Sequence, residues 1–84
     1  MLIIIQEIQN EADRSLVEEL YRKHGSTMLY IAQSILKDQA RAEDAVSQAF
    51  IKIIDNLQKF HFENCNKTRG LVVIIVRHIS YDML

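Results

Sequence analysis

The chain has 84 residues, of which 49% are hydrophobic, so its length suits one domain and excludes a second folded unit. With no proline and only two glycines it has few turn-forming residues, which argues against an all-β fold and favours helices. The net charge of −1 excludes a broadly basic protein that holds nucleic acid through phosphate contacts alone. A single cysteine cannot form an intramolecular disulfide, and no apolar run is long enough to span a membrane. These features favour a single cytoplasmic domain without a membrane anchor.

The first predicted helix begins after Asn10 and ends near Leu36. Asn10 is a suitable N-cap, and Glu11 and Asp13 suit the positive end of the helix dipole. Buried-type positions recur at spacings of three and four residues at Val17, Tyr21, His24, Met28, Ile31 and Ile35. Gly25 interrupts this pattern with a weak helix former, so we expect a bend there without an end to the helix.

A second helix is predicted from the N-cap Asp38 to about Lys59. Its core side consists of Ala42, Ala45, Val46, Ala49, Phe50, Ile53 and Leu57. A neighbouring side mixes polar groups with two large aliphatic residues and comprises Asp44, Ser47, Gln48, Ile51, Ile54 and Asp55. From the residues alone, an ordinary solvated surface is the simpler interpretation of that side.

The last segment is ambiguous between helix and strand. Residues 60–66 lack periodicity and are predicted to form a loop, after which Leu71–Val76 are six consecutive apolar residues, most of them β-branched. Such a run is typical of a buried strand, and residues 2–5 could pair with it. However, Asn66 could cap a helix, and Val72, Ile75, Ile79 and Met83 continue a helical stripe past Arg77 and His78. The periodicity favours a helix but does not exclude a strand.

The sequence shows no arrangement of catalytic or metal-binding residues. The three histidines are scattered, and we expect His24 to pack at the boundary of the core. His61 and Cys65 lie four residues apart around Glu63, but a structural zinc site usually needs four ligands in pairs with short spacings. There is no glycine-rich phosphate loop and no nucleophile motif. We therefore expect no catalytic residue, no metal site and no cofactor, and we do not expect an enzyme.

Basic and aromatic residues are concentrated towards the end of the chain. Lys67, Arg69, Arg77 and His78 lie on the last segment, close to the aromatic residues 60–62 and to Tyr81. Single-stranded DNA is bound by this combination, because cations contact phosphates and aromatic side chains receive unstacked bases. A solvated basic helix face beside core phenylalanines is the simpler alternative, and composition alone favours it.

Two stretches of sequence in fixed order carry a family resemblance. Residues 35–50 (ILKDQARAEDAVSQAF) are followed at a set distance by residues 68–82 (TRGLVVIIVRHISYD). Over residues 20–84 the chain resembles region 2 of bacterial RNA polymerase sigma factors, in particular the extracytoplasmic-function group. The resemblance implies an all-α fold, a compact bundle of three main helices in which the β-branched run is helical. We expect residues 2–9 to add a short N-terminal helix that covers one end of the bundle.

The resemblance also implies two partners. The second helix of such domains docks on the clamp coiled coil of the largest subunit of core RNA polymerase. By matching position, the polymerase-binding residues would be Asp44, Ser47, Gln48, Ile51, Ile54 and Asp55. The loop and third helix recognise and melt the minus-ten promoter element on the non-template strand. DNA contact would then come from Lys67, Arg69, Arg77 and His78, and a pocket for a flipped base from Phe62, Glu63, Asn64 and Asn66.

Relatives of this kind continue into a helix-turn-helix domain, so we expect residues 1–84 to be a fragment that lacks it. An anti-sigma factor is a further partner that the resemblance implies. The alternative is a small helical interaction module, a regulator that binds a partner helix through Ile51 and Ile54 and does not contact DNA.

Overall fold

The computed structural model of the protein describes residues 5, 7–57 and 65–84, and this part of the chain contains three long helices. They are α1 (Glu11–Leu36), α2 (Gln39–Asp55) and α3 (Cys65–Asp82), and each of them packs against the other two. The described residues contain no strand, so the prediction of an all-α fold with three main helices is confirmed. The predicted N-terminal helix is not confirmed, because residues 2–4 and 6 lie outside the described residues and residues 7–9 are not helical. Within that segment, Ile5 is buried in the core and its carbonyl accepts a hydrogen bond from the Ile8 N–H at 3.1 Å.

The bounds predicted for α1 are confirmed. The side-chain oxygen of Asn10 accepts a hydrogen bond from the Asp13 N–H at 3.2 Å, which caps the first turn. The helix continues without interruption through Gly25. It ends at Lys37, which adopts a left-handed conformation (φ 55°) and donates its N–H to the Gln33 carbonyl at 2.8 Å. This backbone bond satisfies a carbonyl of the last turn.

The start predicted for α2 is confirmed, whereas its predicted end near Lys59 is wrong. Asp38 accepts a hydrogen bond from the Arg41 N–H at 3.1 Å and so caps the first turn. The helix ends at Asp55, because Asn56 leaves the helical conformation (φ −126°, ψ 25°). The Asn56 side-chain amide donates to the Lys52 carbonyl at 2.8 Å. Asparagine favours such local bonds over continuing the helix.

Helix α3 contains the β-branched run, so the strand alternative is wrong. Val72, Ile75 and Val76 are buried, whereas Ile74 is exposed, as the helical period requires. Burying one such side chain contributes about 1.5–3 kcal/mol, which outweighs a helix-propensity penalty of at most about 0.7 kcal/mol per residue. The prediction that Asn66 caps this helix is wrong, because α3 begins at Cys65 and includes Asn66 in its first turn.

The core lies where the three helices meet. Phe50 of α2 is fully buried, and its ring meets the edge of Tyr21 of α1 with centroids 5.4 Å apart and planes at 62°. Such edge-to-face pairs add about 0.5–1.5 kcal/mol beyond the area they bury. The core positions predicted for α2 are buried, apart from Leu57, which is partly buried against the core. The mixed side of the second helix predicted from the sequence lies away from this core, apart from Ile54, which is partly buried against it.

Candidate functional site

The outward side of α2 is a mixed polar and apolar surface, which we call the α2 face. It consists of Asp44, Ser47, Gln48, Ile51, Ile54 and Asp55, the residues that sequence reasoning grouped together. Asp44, Gln48 and Asp55 are exposed, and the Gln48 side-chain amide donates to the Asp44 carboxylate at 3.0 Å. Because these residues recur one helical turn apart, they lie opposite the side of α2 that packs in the core.

The two isoleucines of the α2 face have different surroundings. Ile51 is 43% exposed and lies near the middle of the face. Ile54 is only partly exposed, because it packs against the core cluster. A substitution of Ile54 would therefore disturb the core as well as the surface, whereas Ile51 can be changed with little effect on folding.

An open groove lies beside the α2 face, between α1 and α2. It has a volume of about 590 Å³ and is lined by apolar side chains that include Leu29 and Val46. Arg22, Glu43 and Ser47 add polar groups to its lining, and Ser47 belongs also to the α2 face. The surface next to α2 is therefore concave on the side that faces α1.

Helix α3 presents a second exposed surface, which we call the α3 stripe. It consists of Lys67, Gly70, Ile74, Arg77, His78 and Tyr81, all of which are exposed. These positions lie three, four or seven residues apart, so they form one band along the helix. Three of the four predicted DNA-contacting residues of this helix, Lys67, Arg77 and His78, therefore lie on one side of α3.

The fourth of these residues, Arg69, is separated from the others. It is exposed, but it lies about 120° around the helix from Tyr81, on the side of α3 that is turned towards α1. There it acts on His24 of α1, whose pKa is lowered first by burial and then by the positive charges of Lys23 and Arg69. His24 is buried, in agreement with the prediction that it packs at the core boundary.

The α2 helix contacts the end of α3 through Met83. The Gln48 side-chain nitrogen lies 3.9 Å from the sulfur of Met83, and the Arg41 guanidinium donates a hydrogen bond to the Met83 carbonyl. Arg41 thus supplies a donor to the end of α3, where a helix carries partial negative charge. Gln48 therefore contacts both Asp44 on its own helix and Met83 at the end of α3.

The charges of the two helices have opposite signs. Helix α3 carries three cations, Lys67, Arg69 and Arg77, and one carboxylate, Asp82. Helix α2 carries three carboxylates, Glu43, Asp44 and Asp55, and two cations, Arg41 and Lys52. A net charge of −1 for the whole chain therefore conceals a positive surface on one helix and a negative one on another.

Several predicted positions lie outside the described residues. Phe62, Glu63 and Asn64 of the predicted base pocket are among them, as are His61 and the side chains of Cys65 and Asn66. Within residues 5, 7–57 and 65–84, no three side chains capable of binding a metal ion lie together. No helix in these ranges is both long enough and apolar enough to cross a membrane.

The sequence analysis did not assign Ile74 to a surface, and it grouped Tyr81 with the basic residues without placing it among the predicted DNA contacts. They are 51% and 57% exposed and lie on either side of Arg77 and His78 along the α3 stripe. The signal was present in their spacing, since positions 74, 77, 78 and 81 follow the i, i+3, i+4, i+7 pattern of one helix face. The β-branched run concealed it, because no outward side could be chosen until the segment was known to be helical.

Comparison with known families decides what these surfaces belong to. Residues 20–84, which include most of α1 and all of α2 and α3, match Sigma-70 region 2. The chain belongs to the sigma-70 region 2 family. This sigma-70 region 2 domain matches no curated protein and no solved structure. Its family takes part in RNA polymerase binding and promoter recognition and is not a class of enzymes.

Proposed function

We propose that this sigma-70 region 2 domain docks on core RNA polymerase through the α2 face and contacts promoter DNA through the α3 stripe. The family match over residues 20–84 supports both partners in general. The observation that supports two separate contacts, one with polymerase and one with DNA, is the presence of two exposed surfaces with different chemistry on adjacent helices. On this proposal the protein acts by binding, in the cytoplasm, as a member of the extracytoplasmic-function group.

The proposed polymerase contact rests on the chemistry of the α2 face. Ile51 offers exposed apolar area at the centre, and Asp44 and Gln48 offer polar groups beside it that already hydrogen-bond to each other. An apolar centre with a polar rim is the usual composition of a protein interface. We propose the clamp coiled coil of the largest subunit as the occupant, with Ser47, Ile54 and Asp55 completing the contact.

The proposed DNA contact rests on the charge of α3. Lys67, Arg77 and His78 face the same direction, and Arg69 adds a cation on the side towards α1. Phosphate contacts by lysine and arginine supply most of the non-specific affinity for DNA. We further propose that this helix and the preceding loop recognise and melt the minus-ten element, and that Phe62, Glu63, Asn64 and Asn66 hold a base flipped out of the non-template strand.

Two isoleucine variants test the division between the surfaces. Ile51→Ala removes apolar area from the α2 face and Ile74→Ala removes it from the α3 stripe, and both residues are about half exposed. We expect Ile51→Ala to weaken binding of the fluorescently labelled chain to core polymerase by fivefold or more, which corresponds to a loss of roughly 1 kcal/mol for a contributing interface residue. Ile74→Ala is the matched control and should leave that affinity unchanged.

Polar variants of the same face provide a second measurement. Asp44→Ala and Gln48→Ala should each weaken polymerase binding in a pull-down while the circular dichroism spectrum of the domain stays unchanged. Unchanged binding by both of these variants and by Ile51→Ala would refute docking through the α2 face.

For the DNA contact, Arg77→Ala should lower the affinity of the polymerase-bound domain for single-stranded minus-ten DNA. Open-complex formation equal to that of the wild type would refute that assignment.

A second candidate function rests on the exposure of Ile51 and on the groove between α1 and α2. A helical module without DNA contacts would use the same apolar area to bind a partner helix, and an anti-sigma factor is one such partner. The two functions differ in the response to Arg77→Ala, which lowers DNA affinity only if α3 contacts DNA. Failure of the wild-type chain to bind core polymerase would favour the module.

A further inference from the structure

We propose that Tyr81 is a stacking platform for an unpaired base of single-stranded DNA, placed next to the cations of the α3 stripe. The proposal rests on the DNA-binding role proposed above and adds to it a residue outside the predicted contact set. Tyr81 is 57% exposed and lies one turn beyond Arg77 and His78 on the same side of the helix. Within the described part of the chain, its side chain takes part in no hydrogen bond or ring pair.

The neighbours of Tyr81 distinguish it from the other two tyrosines. Tyr21 is partly buried and its ring is already paired with Phe50 in the core. Tyr30 is 75% exposed on α1, but the residues three and four positions away on either side are all uncharged: Ser26, Thr27, Gln33 and Ser34. Of the three tyrosines, Tyr81 alone therefore combines an exposed ring with a cation, Arg77, one turn away, and this combination binds single-stranded DNA.

The occupant follows from the charge and length of the stripe. The α3 stripe carries two cations, Lys67 and Arg77, and no carboxylate, so it attracts a polyanion, whereas the carboxylates on α2 would repel it. From Lys67 to Tyr81 the helix rises about 21 Å, which is enough for roughly four to six nucleotides. Ile74 adds exposed apolar surface one turn before Arg77, against which a second base can pack. A duplex would keep its bases stacked on one another, so the ring would have no base to receive.

The test measures binding of fluorescently labelled single-stranded and duplex DNA of the same sequence by the full chain, as anisotropy at several salt concentrations. We expect Tyr81→Ala to weaken single-strand binding roughly five- to 150-fold, the range known for loss of one base–aromatic stack. The slope of log affinity against log salt should not change, because no phosphate contact is lost. Tyr81→Phe, which keeps the ring, should retain the affinity, and duplex binding should be the same for all three chains.

Two control variants separate this proposal from the proposed function. Tyr30→Ala removes an exposed tyrosine that has no charged residue three or four positions away, and it should not change DNA affinity. Arg77→Ala should lower the magnitude of the salt slope by about 0.7, the value for one phosphate contact to a single strand. If Arg77→Ala has this effect while Tyr81→Ala binds like wild type, the stacking proposal is wrong and DNA binding by α3 stands. If neither variant changes the affinity, both proposals are wrong.

Two further results would overturn the stacking proposal. An equal loss in Tyr81→Phe and Tyr81→Ala would assign the contact to the hydroxyl group and not to the ring. An equal loss for duplex and single-stranded DNA would show that no unpaired base is involved. The chain contains no tryptophan, so quenching of tyrosine emission by the oligonucleotide gives an independent readout. This quenching should persist in Tyr30→Ala and fall in Tyr81→Phe.

Discussion

Gly70→Ala should raise the stability of this domain, although it alters the surface proposed to contact DNA. Gly70 is the sixth residue of α3, it is exposed, and its φ angle is not positive. Among the described residues, no atom outside its own helix lies within 4 Å of a Cβ atom built at this position. An alanine side chain therefore fits without moving any neighbour, and the substitution changes only the cost of holding this residue in a helix.

The size of the effect follows from helix propensity. Glycine in a helix interior is about 1 kcal/mol less favourable than alanine, partly because its unfolded chain is more flexible. At about 2.1 cal/mol/K per residue, the unfolding entropy of 84 residues is about 0.18 kcal/mol/K. A gain of about 1 kcal/mol therefore corresponds to a rise in Tm of about 5 °C.

Thermal unfolding followed by circular dichroism at 222 nm tests this value, with Gly25→Ala as the comparison. Gly25 lies inside α1, and a Cβ there would be 3.5 Å from the Tyr21 ring, an ordinary contact, so this variant should also gain stability. A lower Tm for Gly70→Ala would refute the inference that its side of α3 is open. A gain for Gly25→Ala alone would mean that the early part of α3 is less completely formed in solution than α1.

Three further predictions concern pH, capping and the core. Burial lowers the pKa of His24 in the folded protein. As the pH falls through the ordinary histidine pKa near 6.5, the unfolded chain therefore binds a proton more readily than the folded protein, so Tm should fall between pH 7.5 and 5.5. His24→Gln should reduce the change of Tm with pH, and an unchanged slope of Tm against pH would contradict the assignment of this effect to His24. Asp38→Ala should lower the free energy of unfolding by about 1 kcal/mol in urea titrations, as should Asn10→Ala, because each removes an N-cap. Phe50→Ala should cost about 3–5 kcal/mol, a large part of the stability expected for this length, and cooperative unfolding near the wild-type midpoint would contradict its central place in the core.

The helices and their starts were largely predictable because their determinants are local. Asn10 and Asp38 cap α1 and α2 as their side-chain chemistry and position indicated. The core side of α2 was also predictable, since its apolar residues recur with the helical period. The end of α2 was not, because an asparagine inside a periodic segment can either continue the helix or bond to its own backbone, and Asn56 does the latter.

The sequence alone determined that this is a small helical domain with one mixed face on its second helix, since periodicity and capping depend only on neighbours along the chain. Tertiary structure decided the state of Leu71–Val76, because only packing against α1 and α2 makes a helix of β-branched residues favourable. Once that segment is a helix, its outward side is fixed, and Tyr81 and Ile74 join the predicted cations while Arg69 is turned towards His24. The binding surface therefore depended on contacts between residues that are distant in sequence, which no local pattern encodes.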